Sequence, residues 1–220
     1  MPLGLLKFGL SKAYPAEQRF TPAATELKKR YDVVIIGFVG ELGFEIHVGQ
    51  HFGEALWDAL MAAGSDHGIM PFGIEAQRVL RLEKGHMIIG QDADAMSNPL
   101  EVRMAWAVSR TKRFFVGGRT IAELEKTQLN RCLLGFVVND RQAPIPLESH
   151  LVLDGEQMLG RVTSCEYSPT LDKPIGLAYA PPGKAEAGSQ IVIKSTRGVR
   201  VTADVVDLPF FDPDNRRQEL

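Results

Sequence analysis

The side chains most suited to chemistry in the first part of the sequence surround a group of glycines. Glu41 and Glu45 are four residues apart, and so are His47 and His51. Two histidines with that spacing can bind zinc when they share a helix face, but here a strand pattern ends between them and no third ligand is evident. We therefore interpret both as surface histidines. Glu45 is either a solvated strand carboxylate or a carboxylate that points into a cleft.

The glycines themselves allow two interpretations. From Gly37 to Gly43, three glycines are separated by two residues each, after an apolar run, which suggests a dinucleotide-binding loop. Such a loop opens directly into a helix, whose N–H groups hold the phosphates. Phe44–Val48 instead alternates apolar and polar residues, as a strand does. We therefore predict a hairpin of strands Val33–Ile36 and Phe44–Val48, with dinucleotide binding as the weaker alternative.

Further charged residues fall in a helical pattern and in the loop after it. Arg78 and Arg81, with Glu83, form either a solvated helix face or an anion site. Asp92 and Asp94 place two carboxylates in a polar loop, where turn capping is the simpler interpretation. Neither group is a recognisable catalytic set, so chemistry alone indicates no more than a two-part protein that binds a ligand.

Composition excludes several classes of protein. The chain has 220 residues, is 45% hydrophobic and 24% charged, and has a net charge of −2, which argues against a general nucleic-acid binder. No run approaches the length of a transmembrane helix, so we expect no membrane association. Cys132 and Cys165 each lie in a strand-like run. They indicate reduced core cysteines and a cytoplasmic location.

The first half alternates strands and helices, which predicts an α+β layer. A helix is expected over residues 52–63, because Phe52, Leu56 and Leu60 fall on one face. A second helix is expected from Ile74 to Lys84, ended by Gly85. The hairpin should pack on these two helices.

The second half predicts a small antiparallel β-barrel. Six short strand patterns, separated by turn signals, are Cys132–Val138, His150–Leu153, Met158–Glu166, Ile175–Tyr179, Gln190–Ile193 and Val199–Val206. The predicted domains are an N-terminal arm over residues 1–30, an α+β domain over 31–127 and the barrel over 128–220.

Five short blocks then follow one another along the chain: Gly40–Ile46, Arg78–Gly85, Gly90–Asp94 with Pro99, Val162–Ser164 with Ser168-Pro169, and Pro209-Phe210. In this order they resemble the aminomethyltransferase family, the T-protein of glycine cleavage and its relatives. Four stretches are most similar to one branch, the C-terminal folate-binding region of the sarcosine oxidase alpha subunit: Glu83–Gly85, Gly90–Asp92, Trp106–Ser109 and Phe211–Pro213. The fold implied is an aminomethyltransferase-type α+β layer followed by the barrel.

The resemblance implies a tetrahydrofolate site. In the family, a glutamate on the strand after the glycine turn holds the pteridine, and it matches Glu45. A carboxylate suits this role because it can accept both adjacent N–H groups of the pyrimidine edge. The family also grips the folate acid tail with a helix arginine. That position is Gln77 here, with Arg78 next to it, a departure that favours the oxidase branch.

The implied reaction is one-carbon transfer, as part of a sarcosine oxidase. Sarcosine is oxidised on a flavin, and the bound folate captures the methylene group. FAD and NAD are expected elsewhere in the assembly. Nothing in Met1–Arg30 matches the family's N-terminal half, so the expected partners are that missing half or other sarcosine oxidase subunits. The alternatives are a non-catalytic structural or assembly module of the same fold and a folate-dependent aminomethyltransferase.

Overall fold

In a computed structural model of the protein, residues 32–218 are described, except for the side chains of residues 32–36 and of Arg197. The chain divides into two compact units. The first contains described residues 32–78 and 214–218, and the second is Val79–Pro213. The predicted arm over residues 1–30 lies outside the described residues, and the predicted domain boundaries stay a prediction. None of the described helices is both long and apolar enough to cross a membrane.

The first unit begins with the predicted hairpin. Strands β1 (Asp32–Ile36) and β2 (Gly43–His47) pair antiparallel, with Val34 opposite Glu45. In the connecting turn the Gly40 N–H donates to the Gly37 carbonyl oxygen at 3.1 Å, and Gly40 has a φ of 81°, which favours glycine. The hairpin is confirmed. Dinucleotide binding is excluded, because a strand and not a helix starts at Gly43.

Helix α1 (Gly53–Gly64) forms at the expected place, but its apolar face is not covered. No residue of this helix is buried. Leu56 is half-buried, Leu60 is exposed, and Trp57 is 54% exposed. The predicted burial of this face against the hairpin is therefore wrong for the described residues. A helix stripe is buried only when another layer faces it, and the described residues of this unit supply no such layer.

Helix α2 (Ile74–Glu83) has an exposed start and a buried end, where Arg81, Leu82 and Glu83 are all buried. It stops as predicted at a glycine turn. Gly85 has a φ of 70°, its N–H donates to Leu82 O at 2.7 Å, and the His86 N–H donates to Arg81 O at 2.9 Å. These two bonds satisfy carbonyl groups at the helix end. A short helix, α3 (Gly118–Leu124), precedes the barrel.

The predicted barrel is confirmed. Its six strands close antiparallel in the order β3-β6-β5-β4-β7-β8. They are β3 (Cys132–Val137), β4 (Leu151–Asp154), β5 (Gln157–Ser168), β6 (Lys173–Ala180), β7 (Gln190–Lys194) and β8 (Arg200–Val206). A closed barrel leaves no unpaired strand edge.

Two strands of the barrel are buried on both faces. On β3, Leu134 and Phe136 point into the barrel core, whereas Leu133 joins a second core cluster outside it. Ile175 and Leu177 of β6 join that outer cluster too, together with Leu82, Ala93 and Val102. The end of α2 and the loops after it thus pack on the outer face of β3 and β6.

Candidate functional site

Glu45 lies on β2, with His47 two residues further along on the same face of the strand. Its side chain is 48% exposed, and its Oε2 is 3.4 Å from His47 Nε2, a contact that is an ion pair only when the histidine is protonated. Among the described residues no lysine or arginine pairs with Glu45. Phe44, on the opposite face, is 46% exposed, so neither face of the strand is packed closed.

Arg78 and Gln77 lie on α2, both half-buried. Arg78 faces Glu75 one turn earlier, at 3.7 Å, with 37% of its side chain exposed. This exposed helix pair contributes little to stability, so the guanidinium remains available to another anion. In the described part of the chain no hydrogen bond or ion pair joins Arg78 to Glu45.

The other histidine of the pair, His51, packs against the neighbouring Phe52 ring with centroids 4.1 Å apart. It is exposed, as the interpretation of a surface histidine requires. Over the described residues no group of three or more histidine, cysteine or acidic side chains is placed to hold a metal ion.

The strongest polar cluster lies in the second unit and is buried. Arg81 is 1% exposed, and its Nη1 donates to Asp92 Oδ2 at 2.7 Å and to the His86 carbonyl oxygen at 2.9 Å. Its Nη2 donates to Ser164 Oγ at 2.8 Å, while Nε is buried without a partner. A charge buried this completely is tolerated only when it is paired and hydrogen-bonded.

Asp92 completes the cluster with short bonds to the barrel. Its Oδ1 accepts from Thr163 Oγ1 at 2.6 Å and from Ser164 Oγ at 2.5 Å, and its Oδ2 also accepts from the Ile88 N–H at 2.9 Å. Gln91 Nε2 adds a bond to Ser164 Oγ at 3.2 Å. The cluster therefore joins α2, the following loop and strand β5.

A second set of buried contacts begins two residues after Arg81, at the end of the helix. Glu83 Oε1 accepts from Ser168 Oγ at 2.5 Å, and Oε2 accepts from Thr170 Oγ1 at 3.1 Å. Lys84 Nζ donates to the backbone oxygen of Asp212 at 2.6 Å. We call this set and the Arg81–Asp92 cluster together the buried clamp.

The clamp corrects two sequence interpretations. Arg81 and Glu83 form neither a solvated face nor an open anion site, because both are buried and paired. Turn capping describes Asp94, whose Oδ1 accepts from the Met96 N–H at 2.9 Å, but not Asp92. The hydrogen bond from Ser97, followed by that from Met96, lowers the pKa of Asp94. A charged residue inside the apolar run Val79–Leu82 was the one sequence signal for the clamp.

Neither cysteine is placed to react. Cys132 is buried on β3, and Cys165 is half-buried on β5; both thiols are free. Burial raises the pKa of Cys165 to about 12, with a smaller contribution from the neighbouring Glu166 carboxylate. A thiol with so high a pKa carries almost no thiolate at neutral pH and is a poor nucleophile.

Comparison with known proteins shows which family has the same two domains and a similar fold. The GCVT N-terminal domain model matches residues 21–112, and the glycine cleavage T-protein C-terminal barrel domain model matches residues 131–212. The crystal structure of the glycine cleavage system aminomethyltransferase T from Bartonella henselae is similar with a TM-score of 0.75 and 27% identity, over 85% of this chain and 50% of that one.

Proteins of similar sequence belong to the same family or contain a region similar to it. The chain is 39% identical to an aminomethyltransferase of Halothermothrix orenii over 79% of this chain and 48% of that protein. It is 34% identical to the sarcosine oxidase subunit alpha of a Corynebacterium species over 84% of this chain and 20% of that protein. The chain thus spans about half the length of the aminomethyltransferases it matches. With one family's two domain models matched in order and a member of the same family as structural neighbour, the chain belongs to the aminomethyltransferase, or glycine cleavage T-protein, family.

Proposed function

We propose that this chain provides the pteridine-holding part of a tetrahydrofolate site, with Glu45 as the residue that holds the pteridine. The observation that carries the proposal is the state of Glu45: a half-exposed strand carboxylate with no lysine or arginine partner among the described residues. Its position after the glycine turn matches the position that the family resemblance implies.

The chemistry of the group supports this role. The two oxygens of a carboxylate can accept from the two adjacent N–H donors of the pyrimidine edge, and such charge-assisted bonds are stronger than neutral ones. Glu45 needs no rearrangement of an internal ion pair to do this, apart from release of the weak His47 contact at 3.4 Å. When bound, tetrahydrofolate supplies the amine that accepts a one-carbon unit.

Arg78 is the proposed partner of the folate acid tail. Its guanidinium contacts Glu75 only at 3.7 Å and remains partly exposed, so a carboxylate ligand can displace that contact. Gln77, at the family's arginine position, can donate a neutral hydrogen bond to the same ligand but brings no charge. The tail should therefore be held less tightly than by an arginine at position 77.

Equilibrium dialysis with tetrahydrofolate tests the proposal. The protein is purified from its host with any chains that accompany it, and saturable binding of one tetrahydrofolate per chain is expected. If no binding occurs at millimolar tetrahydrofolate, the folate proposal fails. The alternative of a non-catalytic structural or assembly module is then the better account.

The finer proposal is that the chain is the C-terminal part of a sarcosine oxidase alpha-like protein. Gln77 in place of the family's arginine supports this branch. The similarity to the Corynebacterium subunit is compatible with it, although the aminomethyltransferase of Halothermothrix orenii is more similar, at 39% identity against 34%. FAD and NAD would bind elsewhere in such an assembly. With oxygen as the electron acceptor of the flavin, the purified assembly should convert sarcosine and tetrahydrofolate into glycine and methylenetetrahydrofolate. If only an aminomethyl donor yields that product, the chain acts in an aminomethyltransferase instead.

A further inference from the structure

A cleft with a volume of about 400 Å³ opens beside α3, within the second unit. Its lining includes four cations, Arg110, Lys112, Arg113 and Arg119, and a single carboxylate, Glu125. The lining therefore carries an excess of three positive charges, whereas the whole chain has a net charge of −2. A concentration of one sign of charge in a concave site raises the local concentration of ions of opposite sign.

Only one of the four cations is neutralised by its surroundings. Arg110 forms an ion pair with Glu125. Lys112, Arg113 and Arg119 have no carboxylate partner in the part of the chain that the structure describes. All three are exposed at the cleft, and no carboxylate among the described residues offsets their charge. An anion that enters the cleft would offset this charge.

The cleft also has an apolar component. The ring of Phe115 is half-buried and lies against Gly118, where an added Cβ would be 3.2 Å from the ring edge. Phe114 lines the same cleft and is 78% exposed. Pockets for small molecules occupy about 300–1,000 Å³ and combine apolar walls with a few polar groups. The volume, the rings and the cations together match a small charged ligand.

We propose that this cleft binds a small molecule that carries two or more negative charges on phosphate or carboxylate groups. The arginines can form paired hydrogen bonds with either group, and Lys112 adds a point charge. A nucleic-acid backbone is not favoured, because the cations are gathered in one cleft of a chain with negative net charge. The lining from Arg113 to Glu125 lies between the two matched family domains, which end at 112 and resume at 131.

Isothermal titration of the full 220-residue chain tests this site, with pyrophosphate and citrate as probes at low ionic strength. The test variant combines Lys112→Ala and Arg119→Ala. The control combines Arg141→Ala and Lys194→Ala, which removes one arginine and one lysine from exposed positions outside the cleft; Arg141, unlike the cleft residues, is paired with a carboxylate, that of Asp172. Circular dichroism verifies that each variant is folded, and Arg113→Ala serves as a second variant with a single exposed change.

The wild type and the control should bind at least one probe, and the double variant should bind it roughly tenfold more weakly or worse. Preference for pyrophosphate identifies a phosphate ligand, and preference for citrate identifies a carboxylate ligand. The proposal is overturned if neither probe binds at about 10 mM, or if both double variants lose affinity equally. The probes carry no pteridine, so the result does not depend on the folate proposal.

Discussion

At the residue scale, two carboxylates show how surroundings decide a role. Asp92 is 1% exposed and holds four hydrogen bonds, so its binding capacity is already used within the protein. Glu45 is half-exposed and contacts only a histidine. Because the Asp92 carboxylate is buried and fully hydrogen-bonded, it serves as a structural partner of Arg81. The Glu45 carboxylate, which faces solvent, can exchange bound water for a ligand.

Asp92→Asn should lower the free energy of unfolding by about 3–5 kcal/mol, because it leaves the Arg81 guanidinium buried without a counter-charge. Urea unfolding measures the change. The matched control is Asp94→Asn, which alters only an exposed turn cap and should leave the free energy of unfolding nearly unchanged. Equal losses in the two variants would contradict the structural role of the clamp.

His150 should make stability depend on pH. Its Nδ1 accepts from the Leu147 N–H at 2.9 Å, and its Nε2 lies 2.9 Å from Thr196 Oγ1. Burial lowers its pKa from the ordinary 6.5. As pH falls below 6.5, the unfolded chain therefore takes up the proton first and stability is lost until the folded pKa is passed.

The measurement is the free energy of unfolding at pH 7.5 and at pH 5, for the wild type and for His150→Gln. The wild type should lose more stability than the variant on acidification. A variant with the same pH dependence as the wild type would show that other groups control it.

The contacts of the buried clamp could not be predicted from local sequence patterns. Ser164 is 83 residues from Arg81 in sequence, yet the two are joined by a hydrogen bond. No local pattern reports a contact over that separation, so the sequence allowed the arginine to lie either on a solvated helix face or in an anion site. The family resemblance located Asp92 and Ser164 as motif residues but not as partners of Arg81.

At the element scale, the strands were predictable because their signals are local. The alternation of β2 and the turns between the barrel strands predict where each element lies to within about two residues at either end. The exposure of α1 was not predictable. An apolar stripe shows which face of a helix can pack against another element, but not whether such an element is present. Trp57 and Leu60 are therefore exposed on a helix whose pattern predicts burial.

Gly160 on β5 should tolerate no side chain. A Cβ at this position would lie 1.9 Å from the backbone oxygen of Tyr179 on β6, so the strands would have to separate. We expect Gly160→Ala to lower the free energy of unfolding by about 2 kcal/mol or more. Thermal or urea unfolding checks this against Gly183→Ala, where no atom lies within 4 Å of the added Cβ. Similar stability of the two variants would contradict the strand packing.

At the scale of the whole molecule, burial among the described residues is concentrated in the second unit. The two core clusters belong to the barrel and the layer on its outer face, whereas α1 contains no buried residue. Regions with few buried apolar contacts open locally at low free-energy cost. The two parts of the chain should therefore differ in local stability.

Hydrogen exchange followed by mass spectrometry measures this difference. Backbone amides of β3 and β6 should exchange slowest, and those of α1 should exchange much faster. If amides of α1 are protected as strongly as those of the barrel in the isolated chain, the helix is covered by a layer that the described residues do not show. Equal protection of the α1 amides and the barrel amides would contradict the conclusion that α1 is uncovered.

The central claim, that Glu45 holds the pteridine, is tested most directly by the tetrahydrofolate dissociation constant of Glu45→Gln in the native assembly. The substitution replaces one acceptor with a donor that faces a donor, so binding should weaken by roughly 1–3 kcal/mol. Glu54→Gln, the same change at an exposed position of α1, should leave the dissociation constant unchanged. An unaltered folate affinity in Glu45→Gln would contradict the assignment.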